Sequence, residues 1–301
     1  MTMERIKKAV EMARKNRESL AAVVNAPRGG KSENPPEQVA LNDHKNQEPD
    51  ATVNNTVTFA TIPPHLSLAR IEYTSTKAIE VSSDTLKRNR VLCNDTDSSV
   101  TSAYKLLRTQ VLQILGQNNW NSLVITSPGI GEGKTLTAIN LAISIAREVN
   151  HTVLLVDLDL RRPKVASYFD FVPQYGLYDY LSKDIPLSEI MINPKLERFV
   201  MLPGRGSMNN SSEMLSSPKM VRLVEELKSR YPSRIIIFDM PPLFYADDVL
   251  AFMPYADASL LVLEEGKTRS EEVLKAVDLL GSANIVGTVL NKSSEHVDKY
   301  Y

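Results

Sequence analysis

The chain has 301 residues, of which 43% are apolar and 24% charged, the balance of a soluble protein with a packed core. Its 35 Lys and Arg against 36 Asp and Glu give a net charge of −1, which excludes a global basic field for nucleic acid. One cysteine and four scattered histidines exclude a disulfide framework and a Cys/His metal cluster. No apolar run is long enough to span a bilayer, and the N-terminus lacks the apolar stretch of a signal peptide. We therefore expect a cytoplasmic protein that does not bind nucleic acid.

The N-terminal third of the chain has little of the pattern of a folded domain. Residues 1–20 space Met3, Ile6 and Val10 three and four apart and are rich in Lys and Arg, which predicts a short amphipathic helix. Such a helix would suit an acidic partner surface or anionic lipid headgroups. Residues 21–94 are rich in Pro, Asn, Ser and Thr and show no sustained period, so we expect a flexible linker.

From residue 95 to residue 301 the pattern predicts one α/β domain. Apolar runs typical of buried strands alternate with helical patterns, which favours a doubly wound, mostly parallel sheet with helices on both faces. The predicted strands are Ser122–Thr126, Thr152–Asp157, Phe199–Leu202, Arg234–Asp239, Ser259–Leu263 and Ile285–Leu290. The predicted helices are Ala103–Leu115, Lys134–Glu148, Lys219–Tyr231 and Ser270–Gly281.

A glycine-rich loop joins the first predicted strand to the helix that follows it. The loop ends in Gly133-Lys134-Thr135, the strand, loop and helix context of a Walker A phosphate-binding motif, with Pro128 in place of the usual first small residue. Glycines allow backbone N–H groups to converge on a polyphosphate at a helix N-terminus. Lys134 would reach the β- and γ-phosphates and Thr135 would hold Mg²⁺. The predicted nucleotide-binding residues are Gly129, Ile130, Gly131, Glu132, Gly133, Lys134, Thr135 and Leu136.

Three carboxylates stand at the carboxyl ends of two later strands. Asp157 and Asp159 are two residues apart, so both can face the same side of one strand end. Asp239 ends another apolar strand, the Walker B pattern for a magnesium ion held through water. Because open parallel sheets bind ligands at the carboxyl ends of their strands, we expect all three beside Lys134.

Together these motifs carry a resemblance to a known family. The Gly-Lys-Thr loop, the Asp-x-Asp-x-Arg motif that runs into Pro163, and the Asp-x-Pro-Pro ending of the second strand resemble the bacterial tyrosine (BY) kinases of the CpsD/CapB type. The terminal Tyr300-Tyr301 pair and the N-terminal organisation are most similar to exosortase-associated tyrosine autokinases of exopolysaccharide clusters. The resemblance implies an ATP- and Mg²⁺-dependent protein-tyrosine autokinase that regulates exopolysaccharide biosynthesis or export.

The resemblance also implies a role for individual residues. The residues it makes catalytic are Lys134, Asp157 and Asp159, and the residues it places at Mg²⁺ are Thr135, Asp157 and Asp239. Asp157 and Asp159 would have two roles between them: one orders the ligands around Mg²⁺ and the other accepts the proton from tyrosine. Which residue has which role is left open. Tyr300 and Tyr301 would be the phosphate acceptors, modified by a neighbouring subunit.

Two further positions matter for the nucleotide. Asn291 would recognise the adenine edge, and because Ser294 replaces the carboxylate that pairs with guanine in GTPases, ATP is favoured. Arg161 or Arg162 would either pair with phosphate oxygens or have a role at a surface or interface.

The resemblance implies partners as well. A membrane polysaccharide co-polymerase or chain-length regulator would activate the chain and recruit it peripherally to the inner membrane, and a cognate tyrosine phosphatase would reverse the modification. Homo-oligomerisation is possible but not implied. The family's Glu-x-x-Arg-x-x-Arg motif helps to close a ring of subunits, and the matching positions here are Ser102, Lys105 and Arg108, which lack the Glu and one Arg.

Two alternative functions share the same fold. A Min/Par-like regulatory ATPase would carry a signature lysine near the start of the loop, where this chain has Gly129. A scaffold that binds ATP would transfer no phosphate. The three hypotheses differ in their output, which is phosphotyrosine, phosphate released to water, or neither.

Overall fold

The computed structural model describes residues 76–92, 98–231, 233–281 and 283–294, which include an eight-stranded sheet. The predicted helix over residues 1–20 and most of the predicted linker lie outside these ranges. The strands are β1 (Lys77–Ala78), β2 (Ser122–Thr126), β3 (Thr152–Asp157), β4 (Ile192–Asn193), β5 (Phe199–Leu202), β6 (Arg234–Asp239), β7 (Ala258–Glu264) and β8 (Ile285–Asn291).

Helices connect the strands and cover the sheet. In chain order they are α1 (Ser83–Arg88), α2 (Ser99–Gln117), α3 (Lys134–Ala146), α4 (Leu177–Lys183), α5 (Leu187–Ile190), α6 (Ser211–Leu215), α7 (Pro218–Arg230), α8 (Asp248–Phe252) and α9 (Ser270–Leu280). Two short 3-10 turns follow β3 and α8, at Ala166–Phe169 and Met253–Tyr255.

The sheet has the order β1-β4-β5-β3-β6-β2-β7-β8. All neighbouring strands run parallel except β4 and β5, which pair antiparallel. The predicted doubly wound, mostly parallel sheet is therefore confirmed. Because β2, β3 and β6 are adjacent in the centre, their carboxyl ends meet at one edge, and this is where the predicted motifs lie.

The core is divided between the two faces of the sheet. On one face, strand side chains pack with Leu223 of α7 and Ala276 of α9, and on the other with Val111 of α2 and Ile139 of α3. All five residues of β2 are buried, as expected for a strand covered on both faces. Helix α3 is buried almost all round, because it lies between the sheet and α2. The phosphate-binding helix is thereby fixed in the interior.

The domain starts earlier than residue 95, where the sequence predicted its boundary. Strand β1 pairs with β4, and α1 buries Leu86 against the core on the α3 side. Asn140 of α3 accepts a hydrogen bond from the Leu92 N–H at 3.0 Å and donates to the Arg90 carbonyl at 3.1 Å. Residues 76–92 are thus part of the domain, although their elements are too short to show a period.

Candidate active site

The phosphate loop lies between β2 and α3 in a conformation that requires glycine. Gly131 and Gly133 have φ values of 82° and 95°, which side chains rarely adopt. A Cβ atom on Gly133 would lie only 2.0 Å from Nδ2 of Asn291. The loop leads into the N-terminus of the 13-residue helix α3, whose free N–H groups and partial positive charge favour a phosphate.

Lys134, the first residue of α3, lies among the predicted carboxylates. Its Nζ is 3.0 Å from Oδ2 of Asp159 and 3.6 Å from Oδ1 of Asp239, with only 12% of the lysine side chain exposed. Burial by itself would lower the pKa of Lys134, but the charges of Asp239 and Asp159 outweigh burial and raise it. Lys134 is therefore a fixed positive charge at the phosphate loop.

Asp157 ends β3 and anchors the turn that follows. Its Oδ2 accepts hydrogen bonds from the N–H groups of Lys164 at 3.0 Å and Val165 at 2.9 Å. Complete burial, together with the negative charge of Asp239, raises the pKa of Asp157 to about 8. A carboxylate with such a pKa is suited to proton transfer near neutral pH.

Asp239 is the least satisfied polar group of the site. It ends β6 directly beside Asp157 of β3 in the register of the two strands, and its side chain is fully buried. Within the described residues, neither of its carboxylate oxygens has a hydrogen-bond partner. Burial raises the pKa of Asp239, and the nearby charge of Lys134 opposes that rise. A buried carboxylate that is ion-paired with Lys134 but lacks hydrogen bonds is expected where a ligand supplies the missing partner.

The remaining predicted nucleotide-side residues also come together. Thr135 is buried, and its Oγ1 lies 3.4 Å from the Nζ of Lys134. The side-chain Nδ2 of Asn291 donates a hydrogen bond to the Glu132 carbonyl at 2.8 Å. Asn291 thus lies against the phosphate loop. Tyr300 and Tyr301, the predicted acceptors, lie outside the described residues.

Arg161 contacts polar and acidic side chains of two later helices. Its Nε donates to the Ser211 hydroxyl at 2.9 Å and lies 3.2 Å from Oδ2 of the buried Asp248. The guanidinium therefore joins the turn after β3 to α6 and α8. Arg162, the other candidate, is exposed, and its backbone N–H donates to Oδ1 of Asp159 at 3.1 Å.

Sequence reasoning missed three side chains around the loop. Lys267 donates to the Ile130 carbonyl at 2.9 Å, Lys292 donates to the Gly131 carbonyl at 2.8 Å, and Thr268 donates to the Glu132 carboxylate at 2.5 Å. No motif marks Lys267 or Thr268. Lys292 alone had a signal, because it follows Asn291 directly.

Comparison with known proteins places this site in a family. A family model described as an AAA domain matches residues 121–277. The tyrosine-protein kinase YwqD of Bacillus subtilis is 31% identical over 220 residues, which cover 72% of this chain and 92% of YwqD. The chain belongs to the bacterial tyrosine-protein kinase family. The putative tyrosine-protein kinase CapB of Staphylococcus aureus is 27% identical over 65% of this chain and 85% of CapB.

Solved structures agree with this family assignment. The VpsO kinase domain is 29% identical, covers 65% of this chain and 96% of its own, and has a TM-score of 0.59. The kinase domain of the Escherichia coli tyrosine kinase ETK is 26% identical over 75% of this chain and 94% of its own, also with a TM-score of 0.59. The predicted family and its nucleotide-binding fold are confirmed.

Some relatives are much longer proteins. The putative tyrosine-protein kinase EpsB of Ralstonia nicotianae is 29% identical over 80% of this chain, but the match covers only 31% of EpsB. The succinoglycan biosynthesis transport protein ExoP of Rhizobium meliloti is 26% identical over a match that covers 26% of ExoP. In the described residues of this chain, no helix is long and apolar enough to cross a bilayer.

Proposed function

We propose that the protein is an ATP- and Mg²⁺-dependent tyrosine autokinase that regulates exopolysaccharide biosynthesis or export, with Tyr300 and Tyr301 as acceptors. The observation that carries the proposal is the position of Lys134. Its Nζ lies 3.0 Å from Oδ2 of Asp159 and 3.6 Å from Oδ1 of Asp239. Among the described residues, the carboxylate oxygens of Asp239 have no hydrogen-bond partner. A fixed positive charge among carboxylates at the phosphate loop supports a role in phosphoryl transfer.

The phosphate loop is suited to ATP. The N–H groups of the loop and of the first turn of α3 would bind the phosphates, and Lys134 would neutralise charge on the transferred group. ATP supplies the γ-phosphoryl group when it is bound. Asn291, which lies against the loop, is positioned on the side where we propose that the base binds.

The acidic residues fit a magnesium ion. Among the described residues, no three His, Cys, Asp or Glu side chains are placed to hold a metal by themselves. Magnesium in kinases takes most of its ligands from phosphate oxygens and water, and needs one or two protein oxygens. Thr135 and the unpartnered carboxylate of Asp239 would supply these, with Asp157 ordering the shell beside them.

A proton must leave the tyrosine hydroxyl when its oxygen attacks the phosphate. Asp157 and Asp159 are the candidate acceptors and share this work with ordering the metal shell. Asp157 has the raised pKa of a general base, whereas Asp159 has the more exposed side chain and is hydrogen-bonded to Lys134. The kinetics of Asp157→Asn and Asp159→Asn would separate the two roles.

Membrane recruitment is part of the proposal. The proposed activator is a membrane protein of the polysaccharide co-polymerase class, and the name of one relative, the succinoglycan biosynthesis transport protein ExoP, supports a link to polysaccharide export. Residues 1–20 would contact it, and a cognate tyrosine phosphatase would reset the modified tyrosines. Deletion of residues 2–20 is expected to abolish co-fractionation with membranes, and unchanged fractionation would remove the helix from this proposal.

The test of the function is mass spectrometry of the purified protein after incubation with Mg-ATP. We expect ATP-dependent phosphate on Tyr300 or Tyr301 in the wild type and none in Asp157→Asn. Doubly substituted Tyr300→Phe, Tyr301→Phe protein serves as the acceptor control. ADP formation without any phosphotyrosine, also after addition of the membrane activator, would contradict the proposal and favour an ATPase switch.

A further inference from the structure

Glu132, within the phosphate loop, carries a buried and fully engaged carboxylate. The residue is 3% exposed. Its Oε2 accepts a hydrogen bond from the Gly129 N–H at 2.9 Å, and its Oε1 accepts one from the Thr268 hydroxyl at 2.5 Å. The side chain therefore folds back onto the start of its own loop and also reaches a second segment of the protein.

Thr268 is held in place for this contact. It lies in the loop between β7 and α9, and its hydroxyl oxygen accepts a hydrogen bond from the Glu264 N–H at 2.8 Å. Because that oxygen is already an acceptor from the backbone, its own proton is directed to Glu132. The hydroxyl thus joins the end of β7 to the phosphate loop.

The outer side of the phosphate loop is held at three consecutive carbonyl groups. The carbonyls of Ile130, Gly131 and Glu132 accept hydrogen bonds from Lys267, Lys292 and Asn291. Because these carbonyl oxygens point out of the loop to their donors, the backbone N–H groups of the loop can point inward, where successive N–H groups bind an anion. The segment that contains Lys267 also holds the Glu132 side chain, through Thr268.

We propose that the Glu132–Thr268 link is a positioning device that keeps the phosphate loop in its nucleotide-binding shape and joins it to the segment after β7. This inference rests on the proposed nucleotide-dependent function. Glu132 acts through the backbone of Gly129 rather than by touching the nucleotide, so it is a positioning residue. A buried carboxylate near a phosphate site is unfavourable by charge alone, and here two hydrogen bonds compensate for it.

The experiment measures Mg-ADP affinity by calorimetry and KM and kcat for ATP in autophosphorylation. Glu132→Ala removes both contacts of the side chain, and we expect about 10-fold weaker nucleotide binding because a hydrogen-bonded charged group is lost. Thr268→Val removes only the hydroxyl and keeps the shape, so about 5-fold weakening is expected. KM should rise while kcat stays within about 3-fold, since the loop holds phosphate in both the ground state and the transition state.

Two more variants separate positioning from folding and from charge. Glu132→Gln keeps an acceptor for Gly129 and a polar group for Thr268, so it should restore affinity to within about 3-fold of wild type. The double variant Glu132→Ala, Thr268→Val should bind no more weakly than Glu132→Ala, because both changes break one link. Glu271→Ala, an exposed glutamate in the first turn of α9, is the matched control and should bind like wild type.

Each result bears on a different claim. Unchanged affinity in Glu132→Ala, or a lowered melting temperature with unchanged affinity, would overturn the positioning role. Fully additive losses in the double variant would overturn the link to Thr268. Failure of the wild-type protein to bind Mg-ADP would instead overturn the proposed function and the link with it, so the two failures are distinguishable.

Discussion

Asp257, which is half-buried, and Asp239, which is fully buried, lie at opposite ends of the sheet strands, and both lie beside a lysine but differ in their hydrogen bonding. Asp257 precedes β7 at the amino end of its strand and accepts from the N–H groups of Asn121 and Ser122, from the Ser122 hydroxyl and from Lys228. Asp239, at the carboxyl end of β6, has no hydrogen-bond partner among the described residues. A saturated carboxylate stabilises the fold, whereas an unsaturated one is available to a ligand.

Their pKa values follow the same division. Burial opposes ionisation of Asp257, but the hydrogen bonds from Lys228, Ser122 and Asn121 outweigh it and lower the pKa. Burial raises the pKa of Asp239, because the loss of solvation outweighs the opposing effects of Lys134 and Thr135. A cavity of about 780 Å³ also lies at the amino-terminal edge, lined in part by Trp120, Tyr255 and Asp257. Cavity size alone therefore does not identify the reactive edge, and the hydrogen bonding of the carboxylates does.

The largest effect is expected from Lys134→Met. Removing the fixed charge beside the phosphate loop should lower the autophosphorylation rate by at least about 100-fold, as for the loss of other groups that stabilise transition-state charge. Phosphotyrosine formation measures the rate, and circular dichroism confirms that the fold is retained. A Lys134→Met protein that labels itself at the wild-type rate would show that the site is elsewhere.

Asp239→Asn should separate function from stability. We expect nucleotide affinity in Mg²⁺ to fall to the value measured in EDTA, because the proposed metal contact is lost. Without metal, the stability of the variant should change less than that of Asp257→Ala, because the loss of the ion pair with Lys134 is offset by the removal of a buried charge whose desolvation raises its pKa. Calorimetry with and without Mg²⁺ and urea unfolding measure the two quantities. A clear loss of stability would place Asp239 in the same structural class as Asp257.

Asp257→Ala should show the opposite behaviour. It leaves several donors unpaired, so the free energy of unfolding should fall by about 2–3 kcal/mol at pH 7 while kcat is unchanged. Because the pKa of Asp257 is lowered in the folded state, its contribution is present above the unfolded pKa and is lost as the pH falls through the folded value. Urea unfolding at neutral and acidic pH should therefore show a difference from wild type that shrinks in acid. If the difference in unfolding free energy between wild type and variant did not change with pH, the charge of Asp257 would not be what stabilises the fold.

Leu86→Ala tests the N-terminal part of the domain and should have the smallest effect. Leu86 is 7% exposed within α1, so truncation should cost about 2 kcal/mol of unfolding free energy, at the low end for buried leucines. The change is measured by urea unfolding against Leu106→Ala, which alters an exposed leucine on α2. Equal stabilities of the two variants would mean that residues 76–92 add nothing to the fold.

The sequence predicted that four charged side chains would lie together, and the structure places them together, but it did not predict most of the contacts around the phosphate loop. Lys134, Asp157, Asp159 and Asp239 could be found because each begins a buried helix, ends a buried strand or lies within two residues of such an end, and parallel strands bring these ends together. The contact between Glu132 and Thr268 spans 136 residues and has no motif, so only the folded chain reveals it. Likewise, the partners of Arg161 in α6 and α8 could not be anticipated, because short helices leave little periodic signal.

The most direct test of the central claim is the amount of phosphotyrosine formed per ADP released by the full chain in Mg-ATP. Both products are measured in the same reaction, with and without a candidate membrane activator. The account predicts that ADP formation is matched by phosphotyrosine until the acceptor tyrosines are filled, and that Lys134→Met forms neither product. Steady release of ADP and phosphate with unmodified tyrosines under both conditions would contradict it.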